Sequence, residues 1–375
     1  MSAQAQLFSD ELTLNTPQTE GIKYAGSKLK LIPQILKLAR KVDARNVFDA
    51  FSGTTRVSQA FAKRGYDVIC NDQAVWSEVF GKCYLSGREC AKYQSLIDHL
   101  NGLPPKDGWF TEFYGGDPQK EGGPKRPWQV HNTRKLDSIR EEIDRIGLDP
   151  LERSVAITSL IMALDQVDST LGHFASYLRE WSPRSYKRIY LRIPAIAGNG
   201  GAAGHCVLRK DVFDLMDSVE TDLAYFDPPY GSNNEKMPPS RVRYASYYHV
   251  WTTICLNDKP RLFGRANRRA DTSDTVAISP FEDFRTDGKG RFIAVEAIHK
   301  LLTSSRSKHI ILSYSSGGRA TSAQLNEVIQ SCGRLLETME IDYKRNVMAE
   351  MKWTNEWLRD AEAPNREFLF LIARR

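Results

Sequence analysis

The sequence predicts an α/β protein: a mainly parallel sheet with helices on both faces, interrupted by an inserted, mainly helical domain. Three observations carry this expectation. An apolar run at 46–51 is followed by the turn Ser52-Gly53-Thr54-Thr55, a helical pattern through Val57, Ala60 and Phe61, and a second apolar run at 67–70. Such a strand, turn, helix, strand unit closes with a right-handed crossover and makes parallel neighbours. A further run, Leu223-Ala224-Tyr225-Phe226, is stopped by Pro228 and Pro229, which donate no ladder hydrogen bond. Helix and strand patterns then alternate again from 291 to 330.

Taken in order, residues 1–20 have weak periodicity and read as a loose arm. The fold begins near Gly21, with 22–27 as a short strand or turn before an amphipathic helix over 29–41, whose apolar side carries Leu31, Ile32, Ile35, Leu36 and Leu38. After the 46–70 unit the alternation breaks. Residues 81–205 hold helical patterns at 135–146 and 152–167, aromatic loops at 109–114 and around Trp128, and a Gly-rich stretch at 198–204; they read as the insertion. The sheet resumes with a strand at 206–208, a helix at 211–216, the strand at 223–226, a helix at 291–302, a strand at 309–314 and a helix at 322–330. Segments 334–343 and 367–372 read as a closing hairpin. The main domain is thus 21–80 plus 206–375, with 231–290 a basic loop region.

A chain of 375 residues with 41% hydrophobic content buries a sizeable core, as one large domain with an insertion or as two domains. No run approaches the ~20 apolar residues of a membrane helix, and the start lacks a charged segment followed by a long apolar stretch, which points to the cytoplasm. The six cysteines include no Cys-x-x-Cys pair and read as reduced thiols; the seven histidines show no ligand spacing, so no metal is expected. Between 231 and 270, eight Lys or Arg face two acids, a net of +6 that equals the formal charge of the whole chain. With Tyr244, Tyr247, Tyr248 and Trp251 interleaved, this segment reads as a surface that follows nucleic-acid phosphates, through Arg241, Arg243, Arg265, Arg268 and Arg269. The insertion adds Arg134, Lys135, Arg179, Arg184 and Arg188 as candidates for reading bases, with no spacing code to choose among them.

Asp227-Pro228-Pro229-Tyr230 closes a buried strand at its carboxyl end, where open α/β sheets bind ligands. The chemistry it suits is that of a base amine. An adenine amine is a poor nucleophile because its lone pair is delocalised into the ring. Two acceptors, the Asp227 carboxylate and the Pro228 carbonyl, can draw the nitrogen toward tetrahedral geometry, and the Tyr230 ring can stack on the base. Stacking on an aromatic contributes ~1–3 kcal/mol, offsetting part of the few kcal/mol needed to flip a nucleotide.

Lys23-Tyr24-Ala25-Gly26-Ser27-Lys28, Asp49-Ala50-Phe51-Ser52-Gly53, Asn71-Asp72, Asp211-Val212-Phe213-Asp214, Asp227 to Tyr230, Leu312-Ser313-Tyr314-Ser315 and Arg366-Glu367-Phe368-Leu369, in this order, resemble the Dam-like (alpha class) DNA N6-adenine methyltransferases. The resemblance covers most of the chain, least securely the insertion. It implies a Rossmann-like S-adenosylmethionine-dependent methyltransferase sheet bearing a DNA-recognition insertion. It also implies site roles. Lys23, Ala25 and Gly26 would line the methionine end of S-adenosylmethionine, with Lys28 beside or instead of Lys23 pairing the cofactor carboxylate. Asp49, Phe51 and Gly53 would shape the pocket below it, Asp72 would accept from the ribose hydroxyls, and Asp211 from the cofactor's adenine amine, although Asp211 also suits a helix cap. Family members often carry Gly-x-Gly in the first loop; here Thr55 takes the second place, which narrows the backbone approach.

The function implied is site-specific methylation of the N6 amine of a flipped adenine in double-stranded DNA, by direct transfer, in a prokaryotic cytoplasm with the protein held to the nucleoid through DNA. The expected partner protein is a cognate restriction endonuclease acting separately, and the expected state a monomer or weak dimer. The alternatives are methylation of cytosine N4 or of an RNA base, and a catalytically inactive DNA-binding module. Asp227 favours adenine over cytosine, where serine often replaces the aspartate.

Overall fold

The computed structural model describes residues 16–87, 91–120, 126–178, 180–196, 204–230, 244–273, 279–283, 285–288, 290–342 and 366–375. A seven-stranded sheet is built from β1 (Asn46–Asp49), β2 (Asp67–Asn71), β3 (Cys206–Leu208), β4 (Leu223–Phe226), β5 (His309–Ser315), β6 (Gly333–Asp342) and β7 (Arg366–Arg374), in the order β6-β7-β5-β4-β1-β2-β3. Strands β1 to β5 pair in parallel, and β7 runs antiparallel between β5 and β6. The order reverses at β1, with β2 on one side and β4 on the other; that switch point opens the crevice in which such sheets hold ligands.

Side-chain alternation divides the core between the two faces. Leu223 and Tyr225 of β4, with Val47 of β1, pack on α1 (Ile32–Ala39) and α2 (Arg56–Lys63). Ala224 and Phe226, with Phe48, pack beneath two later helices, Ile293–Ser304 and Ser322–Cys332. Every residue of β4 is buried, as a central parallel strand requires. At its end Asp227 follows the parity of Leu223 and Tyr225, the face on which the loop before α1 lies.

Between β2 and β3, α3 (Val75–Gly81) leads into helices Ala91–Gly102, Trp109–Tyr114, α4 (Val130–Arg145) and α5 (Pro150–Val167). A capping box, with Asp149 accepting from Leu151 and Glu152 and Glu152 answering the Asp149 amide, starts α5. The core of this unit joins Leu136 and Ile139 to Leu160, Leu164 and Trp128. It also takes in Val250, Trp251 and Ile254 of α6 (His249–Leu256), from the stretch expected to be a basic loop. Arg140, fully buried on α4, donates to the Ile254 and Cys255 carbonyls at 2.5 and 3.1 Å, satisfying helix-end acceptors that would otherwise be orphaned.

The structure therefore corrects several local expectations. Residues 109–114 form a helix rather than an aromatic loop, α4 starts five residues earlier than its pattern suggested, and the helix expected at 211–216 shrinks to one 3₁₀ turn, Val212–Asp214, capped by Asp211. Tyr247, Tyr248 and Trp251 are core residues: their rings are buried, Trp251 lying 4.7 Å from Phe174 and 5.7 Å from Trp128. Residues 334–342 and 367–372 do pair as antiparallel neighbours. Residues 1–15 of the arm expected over 1–20, and most of the Gly-rich stretch, 198–203, lie outside the described residues.

Candidate active site

The carboxyl ends of β1, β2 and β4 surround a cavity of about 520 Å³, within the range expected for a small-molecule site. Its shape begins with the loop after β1. Gly53 has φ +46° and Thr55 φ +60°, a left-handed conformation that costs a β-branched residue ~1–2 kcal/mol. Two bonds hold Thr55 there: its amide donates to the Ser52 carbonyl at 2.6 Å, and its Oγ1 accepts from Gln59 Nε2 at 3.1 Å. The Gly-x-Gly departure is thus accommodated with the backbone still in the glycine-like conformation. The freed Gly53 amide donates to Asp72 Oδ2 and the Ala74 amide to Asp72 Oδ1, both at 2.8 Å. Burial raises the Asp72 pKa, while these backbone donors oppose the rise. Asn71 laces the strand ends together by donating to the Ala50 and Lys210 carbonyls at 3.2 Å and accepting from the Lys210 amide.

On the β4 side, Asp227 meets Lys28. The Lys28 ammonium stands 3.2 Å from Asp227 Oδ1, 3.3 Å from Glu367 Oε2 and 3.0 Å from the Tyr230 hydroxyl, which itself donates to Glu367 Oε1 at 3.0 Å. The approach to Oδ1 is off the line of a hydrogen bond, leaving that buried oxygen without an aligned donor. Burial pushes Asp227 up to about 6; Lys28 pulls it down and Glu367 adds to the rise. For Lys28, burial alone would lower the pKa, but Asp227, Tyr230 and Glu367 reverse this and hold it well above the usual lysine value. The Tyr230 ring also lies 5.3 Å from Tyr314.

Aromatic rings wall the third side. Tyr24 stacks on Tyr248 and on Tyr244, at 4.6 and 5.4 Å, and tilts against Trp76 at 5.7 Å. Gly26, at φ +81°, lets the chain pass Tyr244, whose hydroxyl would sit 2.8 Å from an added Cβ. Phe51 meets Phe281 edge to face at 5.3 Å.

Of the sequence-derived cofactor set, Gly26, Lys28, Phe51, Asp72 and Asp211 line the cavity together with Asp227, Pro228 and Tyr230. Lys23, Ala25, Asp49 and Gly53 do not. Lys23 is turned to the insertion, where its ammonium pairs with Asp168 at 2.9 Å and bonds the Asp165 carbonyl; the Ala25 amide donates to the Tyr248 hydroxyl at 2.6 Å. Asp49 lies fully buried behind the wall, with Oδ2 accepting from Ser58 at 2.5 Å and Oδ1 bare. Burial raises it to about 7 against the Ser58 bond, with Asp227 and Asp72 adding to the rise. Asp211 both caps its turn, accepting from Phe213 N at 2.9 Å, and accepts from Gln73 Nε2 at 2.6 Å.

The arginines expected to meet phosphates divide sharply. Arg241 and Arg243 lie outside the described residues. Arg265 is exposed on a hairpin turn, but Arg268 points inward to Thr272 O at 2.7 Å and Ser246. Arg269 is buried, bidentate to Asp258 at 2.7 Å and paired with Asp271 at 2.8 Å, and lines the cavity instead of an outer surface. Within the insertion, Arg134 pairs with Asp107, Lys135 bonds the Asn101 and Leu103 carbonyls, Arg184 is tied to Asp168 and Thr170, and Arg179 is outside the described residues. Arg188 is exposed, beside Lys187 and Arg192 and with Tyr186 and Tyr190 more than half exposed. Among the described residues these three cations have no ion pair.

Sequence reasoning gave no site role to Tyr24, Trp76, Phe281 or Glu367. Tyr24 lies inside the Lys23 to Lys28 motif and Trp76 four residues past Asp72, so both were within reach; Glu367 stands out in the sequence only through the family resemblance. Among the described residues no His, Cys, Asp and Glu cluster suits a metal, and no helix is long and apolar enough to cross a membrane.

Comparison with known proteins shows the family. The family model for D12 class N6 adenine-specific DNA methyltransferases matches residues 24–278, and the chain belongs to that family. It is 27% identical over 344 residues to the modification methylase StsI of Streptococcus sanguinis, covering 86% of this chain and 48% of that protein. It is 26% identical over 367 residues to the type II methyltransferase M.FokI of Planomicrobium okeanokoites, covering 94% and 52%. With the type II methyltransferase M.NlaIII of Neisseria lactamica it shares 25% over 334 residues, covering 86% and 92%. The chain thus spans about half the length of the first two relatives and nearly all of the third.

Proposed function

We propose that this chain is a site-specific DNA adenine methyltransferase, transferring a methyl group from S-adenosylmethionine to the N6 amine of an adenine flipped out of double-stranded DNA, as the modifying enzyme of a restriction–modification system. One observation carries the reading: a single cavity is shared by the base-facing group (Asp227, Pro228, Tyr230) and by the acids Asp72 and Asp211 at neighbouring strand ends.

The residues present fit the cofactor. Of the acids that line the cavity, Asp227 keeps a buried Oδ1 with no aligned hydrogen-bond donor, which suits an incoming amine. Asp72 offers a carboxylate already fixed by two amides, with lone pairs left for ribose hydroxyls, and Phe51 and Val212 supply an apolar bed. Bound there, S-adenosylmethionine supplies an electrophilic methyl on sulfur. The chain's own work is on the base. Asp227, ionised above about pH 6, accepts one amine proton in a hydrogen bond; the Pro228 carbonyl accepts the other; the paired prolines hold both at a fixed spacing, and Tyr230 stacks on the ring. The rings of Tyr24, Tyr244 and Trp76 line the same cavity and give it an apolar wall.

Duplex DNA is met by the insertion, where Lys187, Arg188 and Arg192 offer exposed charge to phosphates and Tyr186 and Tyr190 offer rings. Arg265, exposed on its hairpin turn, is a further candidate phosphate contact. The reading carries with it a bacterial cytoplasmic location and a restriction endonuclease that acts separately. Incubation with unmethylated DNA and labelled cofactor, followed by nucleoside digestion, tests it: label in N6-methyladenine is expected, and label in N4-methylcytosine, or in RNA alone, overturns it.

A further inference from the structure

We propose that Glu367 is a positioning residue for methyl transfer, holding the Lys28 ammonium and the Tyr230 hydroxyl in one hydrogen-bonded ring so that the ammonium does not close over the acceptor oxygens of Asp227. The inference rests on the adenine-methylation reading and deepens it by assigning a residue from the far end of the chain.

The geometry requires a divider. A buried ammonium needs three acceptors, and Lys28 finds Tyr230 at 3.0 Å, Asp227 at 3.2 Å and Glu367 at 3.3 Å. The two carboxylates compete for one cation at nearly equal distance, so each holds it off the other. Removing the charge of Glu367 leaves Asp227 as the only carboxylate on that ammonium, and a fully paired Asp227 is a poorer acceptor for an incoming amine. Glu367 is placed for this by the sheet rather than by the loop: it is the second residue of β7, pairs in register with Ser315 of β5 and Ile341 of β6, and is itself buried. Its second oxygen fixes Tyr230, accepting from the hydroxyl at 3.0 Å, so the ring is anchored at both the proline end and the phenol end.

Electrostatics supply a signature that damage to the fold would not. Asp227 faces Lys28 from the loop before α1, Glu367 from β7, Asp49 from β1, Tyr225 on its own strand, Tyr230 on its own loop, Tyr24, and Tyr244 from the helix Tyr244–Tyr247. Among these Glu367 adds to the rise that burial imposes, and Lys28 opposes it. In Glu367→Gln both changes act the same way: a negative neighbour is lost and Lys28 shifts toward Asp227. The acid limb of the rate profile should move to lower pH even as the plateau falls. In Tyr230→Phe the hydroxyl bridge is lost, Glu367 takes more of Lys28, and the limb should move to higher pH.

The test measures kcat and the KM for cofactor of the full chain on unmethylated DNA from pH 5 to 9, with label counted as N6-methyladenine. Glu367→Gln is expected to lower kcat by about tenfold or more with the cofactor KM within about twofold, and to shift the limb downward; Tyr230→Phe is expected to shift it upward. A Glu367→Gln enzyme with wild-type kcat, or one slowed with its limb unmoved, overturns the proposal. Should Glu367→Gln fail to fold, an unmoved limb in Tyr230→Phe overturns it equally. A wild-type protein that forms no N6-methyladenine overturns the functional reading itself, a result distinguishable before any variant is compared.

Discussion

Asp49→Asn should reverse part of this protein's pH dependence of stability. Asp49 is fully buried at the end of β1, with one oxygen on Ser58 and the other bare, and burial raises it from 3.8 to about 7. The folded form therefore holds a proton that the unfolded chain has released. The stability contributed by holding it is complete below the unfolded value near 4, is lost as pH rises, and is gone above the folded value near 7. The full gap corresponds to roughly 4 kcal/mol at about 1.4 kcal/mol per pH unit, and the part falling between pH 5 and pH 8 to about 2–3 kcal/mol. Asparagine keeps the shape and an acceptor for Ser58 but leaves an amide unpaired, at a cost of about 1–3 kcal/mol. The variant should thus be near neutral or slightly less stable at pH 5 and more stable than wild type at pH 8. Urea unfolding at the two pH values measures this. Asp165 owes its rise to burial and Asp168, titrates alike in both proteins and cancels in the difference, whereas Asp227 is coupled to Asp49 and shifts with it in the same pH range. A wild-type-to-variant gap that is the same at pH 5 and pH 8 would refute the reasoning.

Three other outcomes are expected. Asp227→Ala should slow transfer by about 10²–10⁴-fold while cofactor binding, measured by calorimetry, stays largely intact, and Tyr230→Ala should cost less because stacking is partly replaceable; normal turnover by the Asp227 variant would remove it from the mechanism. Arg269→Met should destabilise the fold by about 2 kcal/mol, less than a fully buried pair because Asp258 and Asp271 can rehydrate, and should leave the salt dependence of DNA binding unchanged; a flattened salt slope would return Arg269 to the DNA surface. Lys187→Gln, Arg188→Gln and Arg192→Gln together should reduce the magnitude of that slope by roughly 0.9 for each phosphate no longer neutralised, and an unchanged slope would place the duplex elsewhere.

Legibility followed the range of the interactions. The Asp227 to Tyr230 motif could be read because strand, stop and chemistry sit within eight residues. The 46–70 unit could be read because turn and crossover rules are local. Tyr247, Tyr248 and Trp251 were misread because aromatic and basic residues alternate alike on a nucleic-acid surface and on a helix whose rings face a core; only the partners Trp128 and Phe174, far off in sequence, decide. Arg269 carried a visible warning, with Asp271 two residues on and Asp258 eleven back. Glu367 gave no such sign. Its partners are 339 and 137 residues away, joined only when β7 inserts between β5 and β6.

The segment from Lys23 to Lys28 shows why two lysines of one motif are not interchangeable. Either ammonium was expected to pair the cofactor's carboxylate, yet both are already engaged, by different halves of the fold. Lys23 is held by Asp165 and Asp168 at the end of α5, and Lys28 by Asp227 and Glu367 at the ends of β4 and β7. Two unit charges about 3.2 Å apart interact by roughly 5 kcal/mol at an effective dielectric near 20, more than the roughly 1.4 kcal/mol that would carry Asp227 from its value of about 6 past neutral pH. Without Lys28, then, burial and Glu367 together would leave Asp227 protonated at neutral pH and unable to serve as a charged acceptor. The same six residues fasten the insertion to the sheet at one end and set the charge state of Asp227 at the other, with Gly26 giving the turn between them.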